Sequence, residues 1–283
     1  MQRIYPLLFV FLWSTGFIGA KYGLPDAGPL SFLLTRYGAV ILLMGALALA
    51  TRAPWPAGPR QWLHIAVTGL LVHATYLGGV FVAIKHGLPA GVTALVVGLQ
   101  PLLTATLAGA LLGETVSRRQ WGGLALGLAG VGLVVSGKFG DAALGAMLLP
   151  AVVALLGITL GTLYQKRHCA GFDLRTGSVI QFAASAAATA PLCLLTEGYA
   201  VDWTGGFVFA LGWLVLVLSI GAVSLLNLLI RGGSAVNVAS LFYLTPPTTA
   251  LIAWAVFGET LTSTAIAGMA LAVSGVWLVA RAK

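Results

Sequence analysis

The sequence predicts an all-α polytopic membrane protein, ten transmembrane helices built as a five-plus-five inverted repeat with both termini in the cytoplasm. Three observations predict it. The first is composition: of 283 residues only 15 are Lys or Arg and 7 are Asp or Glu, while 59% are hydrophobic. A soluble domain carries about 25% charged residues, so a chain with 8% cannot cover its surface with polar groups. The second is segmentation into apolar runs long enough to cross a bilayer, about 20 residues each as helix. The third is self-similarity at half the chain length.

Ten runs succeed one another between charged or Pro/Gly-rich breaks. The first, 4–20, opens behind Arg3, and 31–50 lies between Pro29 and Arg52. The run 62–84 is bounded by Arg60 and Lys85, and 90–112 ends at Gly113-Glu114-Thr115. Arg118-Arg119 opens 120–136, and Lys166-Arg167 closes 143–165. The last four are 175–196, 206–229, 235–257 and 264–280, the ninth ending at a second Gly258-Glu259-Thr260. Connections of roughly four to eleven residues leave no room for a soluble domain. The first run also has the outline of a signal peptide, but its likeness to a later helix argues that it is retained.

Basic residues orient the bundle. With the N-terminus inside, Arg3, Arg52, Arg60, Arg118, Arg119, Lys166, Arg167, Arg175, Arg231, Arg281 and Lys283 are cytoplasmic, and only Lys21, Lys85 and Lys138 are outside. This predicts a multi-pass membrane protein with both termini cytoplasmic. The net charge of +8 is scattered singly, which excludes a nucleic-acid partner. Cys169 and Cys193 form no disulfide or metal framework.

Shifted by 145 residues, 94–134 and 239–279 are identical at 17 of 41 positions without a gap. The match includes Pro101 with Pro246 and the Gly-Glu-Thr loops; Gly16 and Lys21 match Gly161 and Lys166 more faintly. The repeats divide as 1–140 and 141–283. Five spans per copy is odd, so the second copy enters the membrane upside down. Inverted repeats belong to secondary transporters, whose central site is exposed alternately to the two sides.

Trp13-Ser14-Thr15-Gly16-Phe17, Gly98-Leu99-Gln100-Pro101, Tyr243-Leu244-Thr245-Pro246 and the two Gly-Glu-Thr loops resemble the EamA-type branch of the drug/metabolite transporter superfamily over essentially the whole chain. Within it the chain is similar to bacterial inner-membrane exporters of aromatic amino acids. The resemblance implies a ten-helix exporter of small metabolites, most specifically amino acids. Drug, nucleotide-sugar and other metabolite transporters share the fold and remain the alternative; a channel or a membrane enzyme fits less well.

The site should lie at mid-membrane, where Pro101 and Pro246 interrupt spans 4 and 9 and Pro247 doubles the second. Proline removes an N–H and clashes with the carbonyl four residues back, predicting kinks that free carbonyls near Val97 and Phe242. Such backbone is tolerated only when buried in protein or lining a wet cavity. Gln100 and Thr245 precede the prolines by one residue, Gly98 and Tyr243 by three. Trp13 and Ser14 in span 1, their symmetry mates Ile158 and Thr159 in span 6, and His73 and Tyr76 in span 3 lie at similar depth. The candidate substrate contacts are therefore Trp13, Ser14, His73, Tyr76, Gly98, Gln100, Ile158, Tyr243 and Thr245. Each has a plainer reading as helix packing or an interhelical hydrogen bond. Arg36, about six residues into span 2, either snorkels to the outer interface or draws in a carboxylate near the outer opening.

No Asp or Glu falls within a predicted span. Cationic drug binding and carboxylate proton relays would place one there, and the four-helix multidrug relatives carry a glutamate in their first helix that is missing here. The expectation is an uncoupled facilitator, or coupling through His73 or an ion. No cofactor or metal is implied, and no H-E-x-x-H, paired aspartates or G-x-S-x-G points to an enzyme. Gly123, Gly127 and Gly130, with Gly268, Ala272 and Gly275, mark spans 5 and 10 as scaffold or as a dimer seam. The expected partners are a small-molecule substrate and the lipid bilayer, with a monomeric or homodimeric protein.

Overall fold

Helix boundaries in the computed structural model, which describes residues 4–88, 93, 96–136, 148–169, 171–257 and 261–282, sit where the sequence supplies caps. Pro29 and Pro59 occupy the first positions of α2 (Pro29–Ala50) and α3 (Pro59–Lys85), where a missing N–H costs nothing. α1 is Tyr5–Gly23, α4 Gln100–Leu112 and α5 Arg118–Ser136. α6 is Leu148–His168, α7 Leu174–Thr196 and α8 Gly205–Gly232. α9 (Ala235–Ser240), a 3-10 turn over Leu241–Leu244, α10 (Thr245–Phe257) and α11 (Ser263–Arg281) complete the chain. Thr204, Ser234 and Thr262 accept from the backbone N–H three residues on to cap α8, α9 and α11. Asp173 caps α7, and its hydrogen bond to the Arg175 side chain holds its carboxyl down to about 2.

Among the described residues the regular elements are all helical, with one isolated β-bridge, Ala27 to Val201, and no strand. Eight of their segments are long and apolar enough to cross a membrane. Of the other two expected spans, 120–136 is α5, and 90–112 is the 13-residue α4, helical from Gln100, with 89–92, 94 and 95 outside the described residues. The second Gly-Glu-Thr loop and the surroundings of Lys138 also fall outside them. Burial is inverted relative to a water-soluble protein: Leu42, Leu49 and Leu195 are more than 70% exposed, while Arg36, His73 and Gln100 are each 1% exposed.

Element starts recur at one spacing. α2 and α7 begin at 29 and 174, α4 and α10 at 100 and 245, α5 and α11 at 118 and 263. α3 and α8 each contain a π-helical stretch, Leu70–Leu77 and Leu214–Ala222, which no sequence pattern announced. Each π turn inserts a residue into the helix and rotates the turns beyond it.

α5 and α11 lie against each other, with Gly123, Gly130, Gly268 and Gly275 at the contact. A Cβ on Gly130 would sit 2.4 Å from the Ala272 N, and one on Gly275 2.5 Å from the Gly123 O. These glycines bring α5 and α11 of one chain together. Only small residues let two backbones meet at that distance.

The expected proline kinks are corrected to restarts. Pro101 and Pro246 stand second in α4 and α10, after a 3-10-like turn, so each begins a helix where a bend within a continuous one was expected. The Phe242 carbonyl expected to be free accepts the Thr245 N–H. A 3-10 turn satisfies one residue earlier than an α-helix would, and proline tolerates a first turn.

Candidate functional site

α1, α2, α3, α4, α6, α8 and the α9–α10 break surround three small cavities in a column. The first lies among Trp13, Arg36, His73, Tyr76 and Leu218. The second is walled by Trp13, Tyr76, Gly98, Phe242, Thr245 and Pro246. Gln100, Thr162, Lys166 and Phe242 are among the walls of the third. Trp13 and Tyr76 separate the first from the second, and Phe242 separates the second from the third. These rings form one aromatic partition: Trp13 stacks on Tyr76 at 6.2 Å and 12°, and Phe242 meets Trp13 edge-on at 5.4 Å. About 30, 20 and 10 Å³ respectively are open to the centre of a water-sized sphere. That holds a water or two, against the several hundred Å³ of a metabolite pocket. In this conformation the column is too narrow for a metabolite.

Polar groups aim into it without partners. His73 Nε2, both ends of the Gln100 amide, Thr245 Oγ1 and Arg36 Nη1 are buried and unbonded. Buried polar atoms are almost always satisfied, and native proteins keep exceptions where a ligand or a movement completes them. His73 is fixed by its ring stacked on Phe182 at 4.1 Å and by the Tyr37 hydroxyl, which donates to its carbonyl. The π segment of α3 carries both His73 and Tyr76. That of α8 supplies Leu218 to the first cavity, and Ser219, whose Oγ accepts from Arg36 Nε at 2.8 Å.

Of the residues singled out from sequence, Trp13, His73, Tyr76, Gly98, Gln100, Thr245 and Pro246 wall the column. Three do not. Ser14 donates to the Val10 carbonyl at 2.7 Å and the Thr245 carbonyl at 3.3 Å, tying α1 to the α10 break. Ile158 is fully buried packing in α6. Tyr243 is turned onto α5, its ring filling the space over Gly127, and its hydroxyl has no partner. The physical reason is the 3-10 turn: at three residues per turn it brings Phe242 to the column in place of Tyr243. Phe242 was missed because the turn type, invisible in an apolar run, decides the facing. Pro101 and Pro247 are buried beside the column and line none of its cavities. Arg36 neither snorkels nor stands at an opening; α2 runs on past it, and its side chain is 1% exposed.

Cations and acids close the two ends. At one, Lys85 Nζ donates to the Leu24 and Ala27 carbonyls, and Glu197 takes the Leu30 and Ser31 N–H groups at the start of α2. At the other, Arg231 donates to the Phe172 carbonyl, Lys166 to those of Ile230 and Gly233, and both Glu114 oxygens receive the Ala235 N–H at 3.0 Å. The first Gly-Glu-Thr is thereby explained: Gly113 ends α4 at φ 68°, and Glu114 caps α9. A wider recess, about 620 Å³, is a separate apolar groove between Phe11, Tyr22, Phe209 and Trp213.

The profile of the EamA-like transporter family matches residues 3–136 and again 144–281. The inner membrane transporter YedA of Escherichia coli is 29% identical over 275 residues, covering 96% of this chain and 88% of its own. A Salmonella typhimurium protein named a probable amino-acid metabolite efflux pump is 26% identical, covering 96% and 92%. One of Streptantibioticus cattleyicolor, named a probable terminal-alkyne amino-acid exporter, is 28% identical, covering 97% and 92%. A crystal structure at 22% identity aligns with a TM-score of 0.78 over 97% of this chain and 94% of its own, a likeness of fold.

Proposed function

Since the chain belongs to the EamA-like transporter family and is a multi-pass membrane transporter, we propose that it exports small amphipathic metabolites, aromatic amino acids foremost, by alternating access through the central column. The observation that carries this reading is the column itself, an aromatic partition with unpartnered amide, imidazole and hydroxyl groups on either side. Aromatic faces suit an apolar side chain, and unsatisfied polar groups suit the backbone of an amino acid. Trp13, His73, Tyr76, Gly98, Gln100 and Thr245 make the cargo contacts, joined by Phe242. The names of relatives as amino-acid exporters agree with this cargo.

The architecture in this proposal is ten spans in two inverted halves, 1–140 and 141–283, with both termini cytoplasmic in the inner membrane. The recurrence of element starts at 145 residues and the twofold family match support the halves; the Lys/Arg distribution supports the orientation. α1, α3, α4 and α6, α8, α9–α10 rock about the proline restarts while α5 and α11 stay fixed. With the glycine stripe used inside the chain, a monomer suffices. Among the described residues no acid lines the column, so transport runs as an uncoupled facilitator.

The test is uptake of labelled phenylalanine or tryptophan into proteoliposomes preloaded with the unlabelled amino acid, with and without a pH gradient. Saturable exchange indifferent to the gradient is expected. Absence of exchange by folded, inserted protein would remove this cargo and leave the fold.

A further inference from the structure

Arg36 is a charge with no counter-ion among the described residues. It stands seven residues beyond Pro29, about 10 Å along α2 at 1.5 Å per residue, and its side chain is 1% exposed. Guanidinium keeps its proton in proteins, so the positive charge persists inside the bundle. Nε is taken by Ser219, Nη1 is unbonded, and no acid is among the described residues that wall its cavity. Lys85 and Lys166, by contrast, each give their ammonium to two carbonyls. The position 145 residues on is the uncharged Gln181, so internal symmetry does not account for the arginine. Facing it are the unbonded His73 Nε2 and the stacked Trp13–Tyr76 wall.

We propose that Arg36 receives the carboxylate of the cargo, so that the transported class is organic carboxylates with an apolar or aromatic body, with or without an amino group. This rests on the transporter reading and names what its site selects. A guanidinium edge with a free N–H suits a planar carboxylate, and such charge-assisted bonds are among the stronger ones. His73 Nε2, when its ring carries the proton there, supplies a second donor. The flat Trp13–Tyr76 surface beside them accommodates a ring or chain. Among the described residues, no carboxylate walls this cavity to read an ammonium.

The experiment measures melting of the purified full-length protein in detergent, since a ligand that binds the native state raises its stability. The probes are 3-phenylpropionate, phenylethylamine and phenylalanine, each at millimolar concentration, with chloride and inorganic phosphate as separate arms. The wild type should be stabilised saturably by phenylpropionate and phenylalanine, and not by phenylethylamine. Arg36→Leu should weaken phenylpropionate roughly ten- to hundredfold, as loss of a charge-assisted bond predicts. Arg36→Lys, which keeps the charge and loses the fork, should fall between. If Arg36→Leu fails to fold, Arg36→Lys and the acid-against-amine comparison on the wild type still decide. Four results overturn the proposal: equal stabilisation by phenylethylamine, unchanged carboxylate affinity in the Arg36 variants, the same effect from an inorganic anion, or no shift with any carboxylate. Arg36-dependent phenylpropionate binding without phenylalanine exchange would strike out the amino-acid cargo and keep this site.

Discussion

Gln100 and Tyr243 show at residue scale how burial without a partner separates roles. Both are nearly inaccessible and both have unbonded polar atoms, but Gln100 walls the column while Tyr243 packs on α5. An unsatisfied buried group costs about 1–3 kcal/mol. Gln100→Leu should therefore raise stability by roughly that amount and lower exchange by tenfold or more. Tyr243→Phe should leave exchange unchanged and stability equal or slightly higher. Thermal melting beside proteoliposome exchange measures both; a Gln100→Leu protein that exchanges like wild type would remove that residue from the site. Sequence reasoning named both through the repeat, because alignment reports equivalence in the chain and says nothing of facing.

At element scale the prolines and π turns decide what reaches the column. Pro101 and Pro246 restart helices, leaving at each break a short turn that is easier to alter than an α-helix. Replacing both by alanine should let α4 and α10 extend backwards and slow exchange about tenfold, with little loss of folded protein; wild-type exchange in the double variant would sink the rocking hinge. Glu114 offers a second check. Its carboxylate faces the N-terminus of α9, and Glu114→Ala should cost about 1 kcal/mol, the usual worth of a lost cap, seen as a lower melting temperature. The caps, proline positions and Gly-Glu-Thr signals were legible as residue types. The π stretches were not, since an apolar run is equally compatible with either hydrogen-bond spacing.

On the scale of the whole molecule, the two ends are closed by matched devices. Lys85 holds the carbonyl of Ala27 and Arg231 that of Phe172, and the two carbonyls stand 145 residues apart. In the proposed alternating-access cycle, opening one side of the column breaks one set and leaves the other in place. The proposed orientation puts Lys85 outside and Arg231 inside. In a background with Cys169 and Cys193 replaced by serine, a membrane-impermeant thiol reagent added to intact cells should label Asp202→Cys and not Ser117→Cys. The reverse pattern would invert the topology.

Composition and segmentation by themselves determined that this chain lives in a bilayer, which caps and prolines mark its helix starts, and that its second half resembles its first. Those are properties of residue types in order: an apolar run needs a membrane wherever it packs, and a cap works on the next three residues. Only the tertiary structure decided that Phe242 replaces Tyr243 in the column, that Ser14 is spent on a carbonyl, that the glycine stripe closes one chain upon itself, and that Arg36 is buried against Ser219. Each of these depends on rotation about a helix axis and on what lies across from it. A single residue's shift from α to 3-10 or π geometry changes that rotation by tens of degrees, and the sequence carries no mark of it.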